Sequence, residues 1–88
     1  MKLKYEFCIN QMGDEFVAVP LGNSVVDFNG ILKLNEVAAF IVEQLNSDVE
    51  YDALVETVAK RFDSNIQDAK ENVDYIVSGL KDANLLAE

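Results

Sequence analysis

Eighty-eight residues, of which 50% are hydrophobic, suffice for one small domain with a shallow core, which we expect to span residues 1–88. The net charge of −9, from 7 basic and 16 acidic side chains, disfavours partners such as nucleic acids and anionic membrane surfaces. No apolar run approaches the roughly 20 residues that cross a bilayer, so no membrane association is expected.

The residue types needed for common catalytic and zinc sites are missing. With one cysteine and no histidine, the chain lacks the ligands of zinc sites and the Cys/His and Ser/His pairs of nucleophilic enzymes. Cys8 has no internal disulfide partner, and the N-terminus lacks the apolar stretch of a signal peptide. We expect a cytoplasmic protein that is not an enzyme and that holds no metal or cofactor.

The chain opens with a predicted β-hairpin. Hydrophobic and other residues alternate over residues 5–9 with the period of two that is typical of a half-buried strand. Gly13-Asp14 predicts a tight turn, since glycine tolerates positive φ. A second strand, residues 15–19, returns antiparallel and stops at Pro20, which lacks a donor for the ladder.

A third strand precedes the first helix. Val25–Phe28 and Ile31–Leu34 are extended pieces separated by Asn29-Gly30, a frequent type I′ turn sequence. The two pieces form either a small hairpin or one strand with a bulge at the glycine. In both cases Ile31–Leu34 is the last strand, and which of the two pieces forms the free edge is left open.

Three helices follow, each with apolar residues at helical spacing. The first begins at Asn35, whose side chain suits an N-cap, and ends near Asn46. The second covers about residues 50–62, preceded by Ser47 at capping-box spacing from Glu50.

The third helix is predicted over residues 65–82, with Ser64 and Gln67 as a capping box. Asn84 marks its end, and Leu85-Leu86 are expected to pack back against the core. Three N-terminal antiparallel strands followed by three helices predict an α+β fold of winged-helix-like type. The third helix and the neighbouring strand are the usual recognition surfaces of such a fold.

Two other functions are compatible with parts of this pattern. A winged-helix regulator would insert its third helix into DNA, but Asp68, Glu71 and Asp74 on that helix, near Lys70, would repel phosphates. Asp63-Ser64 is similar to the modified serine site of acyl carrier proteins, which are helical throughout, whereas strands fill the first third of this chain. A helix cap explains Ser64 better.

Several short motifs at matching spacing resemble the PqqD-like family, also described as RiPP recognition elements. They are Val26-Asp27-Phe28-Asn29-Gly30, Leu34-Asn35-Glu36, Leu54-Val55, Val73-Asp74 and Ala83-Asn84-Leu85-Leu86. Together they span nearly the whole chain. Asn84 stands where the family often has glycine, which still suits a helix C-terminus because asparagine tolerates the left-handed conformation.

The resemblance implies a non-catalytic adaptor that captures the leader of a ribosomally made precursor peptide. Members of the family take up the leader as an added antiparallel strand on the third strand, against the third helix, and present it to a modifying enzyme, often a radical SAM protein. The implied peptide-binding residues of this chain are Ile31, Leu32, Lys33, Leu34, Ala69, Asn72, Val73 and Ile76. The apolar helix residues among them also lie on the stripe that must fill the core.

Overall fold

The fold is a three-stranded antiparallel sheet followed by three helices. The computed structural model describes residues 1–21 and 32–87, with only the backbone of Leu32. The strands are β1, Phe7–Met12; β2, Glu15–Pro20; and β3, Leu32–Leu34. The helices are α1, Glu36–Gln44; α2, Tyr51–Arg61; and α3, Ile66–Asp82. The α+β class and the element order are confirmed, and the winged-helix likeness stays a prediction.

β2 is the central strand, paired antiparallel with β1 on one side and β3 on the other. Gly13 takes a φ of +67° in the β1–β2 turn, as its predicted role in a tight turn requires. Pro20 ends β2, also as predicted. The predicted strand Val25–Phe28 and the predicted turn Asn29-Gly30 lie outside the described residues.

The Asn46 side chain forms hydrogen bonds with the first residue of β1 on the outer edge of that strand. Its Nδ2 group donates to the Phe7 carbonyl at 2.8 Å, and its Oδ1 atom accepts from the Phe7 amide at 3.0 Å. Both bonds are partly buried, so neither backbone group has easy access to water. The carboxamide thus replaces one residue of a neighbouring strand.

Replacing Asn46 with alanine is expected to lower the free energy of unfolding by about 1–3 kcal/mol, because the two backbone groups of Phe7 lose their partly buried hydrogen bonds to the Asn46 carboxamide. Urea unfolding followed by circular dichroism measures the change. Asn10→Ala is the matched control, since Asn10 is exposed and its described side-chain hydrogen bond is a long one, 3.9 Å to the Cys8 sulfur. Equal losses from the two substitutions would contradict this role for Asn46.

The core lies between the sheet and the three helices. Its largest fully buried side chains are Phe7, Ile41, Val42, Leu45, Leu54, Val58, Val73 and Leu85. Leu85 and Leu86 are 2% and 4% exposed, which confirms that the C-terminal leucines pack back against the core. Leu3 pairs with Leu86 in an isolated antiparallel bridge and holds this segment in place.

The predicted N-cap is confirmed for α1, whereas the predicted capping box of Ser47 and Glu50 does not form at α2. Asn35 is the N-cap of α1, and its side chain accepts from the Ala38 amide at 2.8 Å. α2 begins after Glu50, whose side chain makes no capping bond. Ser47 lies three residues before Glu50 and is therefore not at the N-cap position.

The start of α3 also differs from the prediction. Ser64 belongs to the C-terminal turn of α2, where its amide donates to the Ala59 carbonyl at 3.0 Å while Asp63 takes a φ of +50°. This is the arrangement of a Schellman motif. Asn65 therefore becomes the N-cap of α3, accepting from the Asp68 amide at 2.8 Å.

The end of α3 confirms the prediction for Asn84. This residue has a φ of +61°, and the Leu85 amide donates to the Leu80 carbonyl at 2.9 Å. Asparagine tolerates this left-handed conformation better than most residues, so it serves where glycine is common. Within the described part of the chain, no helix is both long and apolar enough to cross a membrane.

Candidate functional site

One edge of β3 is open in the described structure. β3 pairs with β2 through Phe16↔Leu34, Val17↔Lys33 and Ala18↔Leu32, and no other described strand adjoins it. Unpaired N–H and C=O groups along such an edge are a ready template for another strand.

The direction of the backbone groups follows from the pairing of β1 with β2. The Leu21 amide donates to the Glu6 carbonyl at 2.9 Å, whereas the backbone groups of Phe7 turn outward to Asn46. Antiparallel strands alternate in this way at every second residue. In β2, odd-numbered residues such as Val17 therefore bond to β1, and even-numbered residues bond to β3.

The same alternation applies to β3. Leu32 and Leu34 lie opposite even-numbered β2 residues, so their backbone groups bond inward to β2. Lys33 lies opposite Val17, whose backbone groups already bond to β1. The Lys33 N–H and C=O therefore face the open edge.

An apolar groove of about 400 Å³ lies beside this edge, between β3 and the C-terminal half of α3. Its described lining residues are Leu34, Val42, Tyr75, Ile76, Gly79, Leu80, Asp82, Ala83 and Leu85. Tyr75 stands at the groove with 79% of its surface exposed, an unusual position for a large aromatic ring. The open backbone edge and the apolar groove thus lie side by side.

The predicted site residues of β3 occupy different settings. Ile31 lies outside the described residues, and Leu32 is described only by its backbone, paired with Ala18. Lys33 is exposed. Leu34 is half-buried and lines the groove, with its side chain against the core.

The predicted site residues of α3 divide between the core and the groove. Ala69 and Val73 are 0% exposed, so their side chains lie in the core and pack α3 against it. Ile76 lines the groove, and the exposed Asn72 lies one helical turn before it on the same side. Contact between these four residues and a peptide stays a prediction.

The sequence-based interpretation missed the residues that line the second half of the groove. Gly79 carried a usable signal, because glycine in a helix interior costs about 1 kcal/mol relative to alanine. A Cβ atom at Gly79 would have no described neighbour within 4 Å, so among the described residues the glycine leaves this part of the groove open. Nothing in the sequence marks Tyr75 or Leu85 as groove residues.

The exposed surface of α3 is acidic. Its charged side chains are Asp68, Lys70, Glu71, Asp74, Lys81 and Asp82, all exposed. The Tyr51 hydroxyl on α2 donates to the Asp74 carboxylate, and this hydrogen bond is the main reason that the pKa of Tyr51 is raised. A helix with this balance is poorly suited to a groove lined by phosphates.

A second cluster joins α1 to α2. The Phe40 and Phe62 rings meet edge to face, with centroids 5.6 Å apart, and the Arg61 guanidinium lies 5.0 Å from the Phe62 centroid. Glu36 lies 3.9 Å from the same guanidinium. These contacts satisfy Arg61 within the fold, so the cluster is best explained as packing between two helices.

The described residues contain no group of three or more side chains with the composition of a metal site. Cys8 is a free, half-buried thiol in β1, and its described polar neighbour is the neutral Asn10 amide. The edge of β3 and the groove beside α3 offer backbone hydrogen-bonding groups and apolar contacts.

Comparison with known proteins identifies one matching family. The sequence model of one family, described as Coenzyme PQQ synthesis protein D (PqqD), matches residues 15–86. No curated protein and no solved structure shows a significant match to the chain. The matched range contains β2, β3 and all three helices, and so both walls of the groove.

Proposed function

The chain belongs to the PqqD family, and from that membership we propose that it is a non-catalytic adaptor that binds the leader of a ribosomally made precursor peptide. The family description places such a protein in coenzyme PQQ synthesis. The peptide would be held for a modifying enzyme, which the family resemblance suggests to be a radical SAM protein.

One observation carries the proposal: the edge of β3 that no described strand occupies adjoins an apolar groove against α3. A docking strand needs both features. The edge supplies backbone hydrogen bonds with little regard to sequence, and the groove supplies pockets that select side chains. In this chain Lys33 presents the backbone groups, while Leu34 and Ile76 form opposite walls of the groove.

The peptide would enter without large rearrangement of the core. The residues beneath the groove, such as Val42 and Leu80, are 0% and 6% exposed and belong to the core cluster. A rigid floor of this kind limits the ordering cost of binding to the peptide itself. The acidic surface of α3 argues against the alternative of a DNA-binding regulator.

The proposal is tested by titrating the full chain with the leader half of a small peptide encoded beside its gene, using fluorescence anisotropy of the labelled leader. We expect saturable one-to-one binding. The core half of the same peptide is the control and should not bind. A folded protein that shows no binding at high micromolar leader concentration would overturn the proposal, and salt-sensitive binding to a DNA duplex would favour the regulator instead.

A further inference from the structure

The geometry of β3 points to a sequence requirement in the ligand. We propose that the docking strand carries a large apolar residue followed immediately by an acidic residue, with the apolar side chain in the groove beside Leu34 and the carboxylate opposite Lys33. This inference rests on the proposed function, because it specifies which peptides the same edge accepts.

The register of the added strand is set by Lys33. Its N–H and C=O groups face the open edge, so the peptide residue directly opposite exchanges both backbone hydrogen bonds with it. Side chains of directly opposite residues lie on the same face of a sheet, about 5 Å apart. The side chain of that peptide residue therefore lies next to the Lys33 side chain.

The two faces of β3 differ in chemistry. Leu34 packs against the core on the helix face, so the adjacent Lys33 directs its side chain to the opposite face. Directly across the sheet on that face lie Val17 and then Asn10, both uncharged, while the Glu15 carboxylate of β2 lies on the same face at the diagonal position. No other cation lies in the described strands, and no described side chain forms an ion pair with Lys33.

An acidic residue of the peptide is favoured opposite Lys33. It is disfavoured at the adjacent peptide positions, whose side chains lie on the helix face. Opposite charges across a strand pair attract, and like charges directly opposite repel. On the helix face, the groove is lined by apolar residues and by the Asp82 carboxylate, which repels a second carboxylate. The peptide should therefore place an acid only on the face of Lys33.

The antiparallel arrangement sets the order of the two residues. All described strands pair antiparallel, and parallel pairing is slightly less stable per residue. In an antiparallel addition, the residue opposite Leu34 comes immediately before the residue opposite Lys33. The apolar residue thus precedes the acidic one, whereas a parallel addition would require the reverse order.

A charge-exchange scan tests this requirement. Each position of the leader peptide is replaced in turn by Glu and by Lys, and each variant is titrated into the wild-type chain and into Lys33→Glu, with Lys33→Gln as the uncharged control. We expect one position at which the wild type binds the Glu peptide about fivefold tighter than the Lys peptide. Lys33→Glu should invert this preference, and Lys33→Gln should abolish it.

The residue just before that position should be large and apolar, and its replacement by Glu should weaken binding to all three proteins. The inference is wrong if Lys33→Glu inverts the preference between Glu and Lys peptides at no leader position. It is also wrong if the required apolar residue follows the position at which the preference inverts. These outcomes differ from failure of the proposed function, in which the unmodified leader does not bind the wild-type chain at all. Thermal unfolding of the two Lys33 variants confirms that each remains folded.

Discussion

Replacing Gly79 with leucine is expected to weaken leader binding by about tenfold or more while leaving the fold intact. The glycine lines the groove, and a Cβ atom at this position would meet none of the described residues within 4 Å. A leucine side chain would therefore leave the helix without a clash at its Cβ atom, and its larger part would occupy space in the groove. Removing glycine from the helix interior should also stabilise α3 by up to about 1 kcal/mol.

Two further substitutions isolate the steric effect. Gly79→Ala brings the same gain in helix propensity but only one methyl group, so it should raise stability and retain most of the affinity. Ser78→Leu adds the large side chain one residue earlier, at an exposed position that does not line the groove. Titration with labelled leader and urea unfolding give both readouts. Wild-type affinity in Gly79→Leu would exclude this groove as the peptide site.

Proline at Lys33 is expected to have a comparable effect through the backbone. The Lys33 amide faces the open edge, so proline removes a donor from the docking strand and places its ring where the peptide would lie. We expect the affinity for the leader to fall about tenfold or more. The ladder between β2 and β3 should persist, because the amides of Leu32 and Leu34 remain.

Lys33→Ala is the matched control, since it removes the charge but keeps the amide, and it should weaken binding clearly less than Lys33→Pro. Leu32→Pro should behave differently. The Leu32 amide faces Ala18 in β2, so proline there should lower the stability of the sheet instead of acting on the peptide alone. Similar losses of stability from Lys33→Pro and Leu32→Pro would show that the assigned register is wrong.

The helices illustrate how far local sequence determines this structure. Asn35 before an apolar periodic stretch predicts the start of α1, and Asn84 before two leucines predicts the end of α3; both predictions are confirmed. The information is local, because a cap needs only the amides of the next turn or the carbonyls of the last one. The same reasoning failed at the start of α3, where the neighbouring residues Ser64 and Asn65 were both suitable caps. The turn at Asp63 decided between them.

The site required the tertiary structure for a different reason. Periodicity identified the apolar stripe of α3 but not which of its members turn to the core and which to a groove. Ala69 and Val73 are fully buried, whereas Ile76, one turn further on, also lines the groove. The division depends on where β3 and the C-terminal leucines pack against the helix.

The sequence by itself determined the element types, their order and the strand that leads into α1, because these follow from periodicity and capping over a few residues. The tertiary structure alone decided that Lys33 is the residue of β3 that presents its backbone to the open edge. Strand register depends on partners distant in the chain, and a shift of one residue would turn every backbone group and side chain to the opposite side.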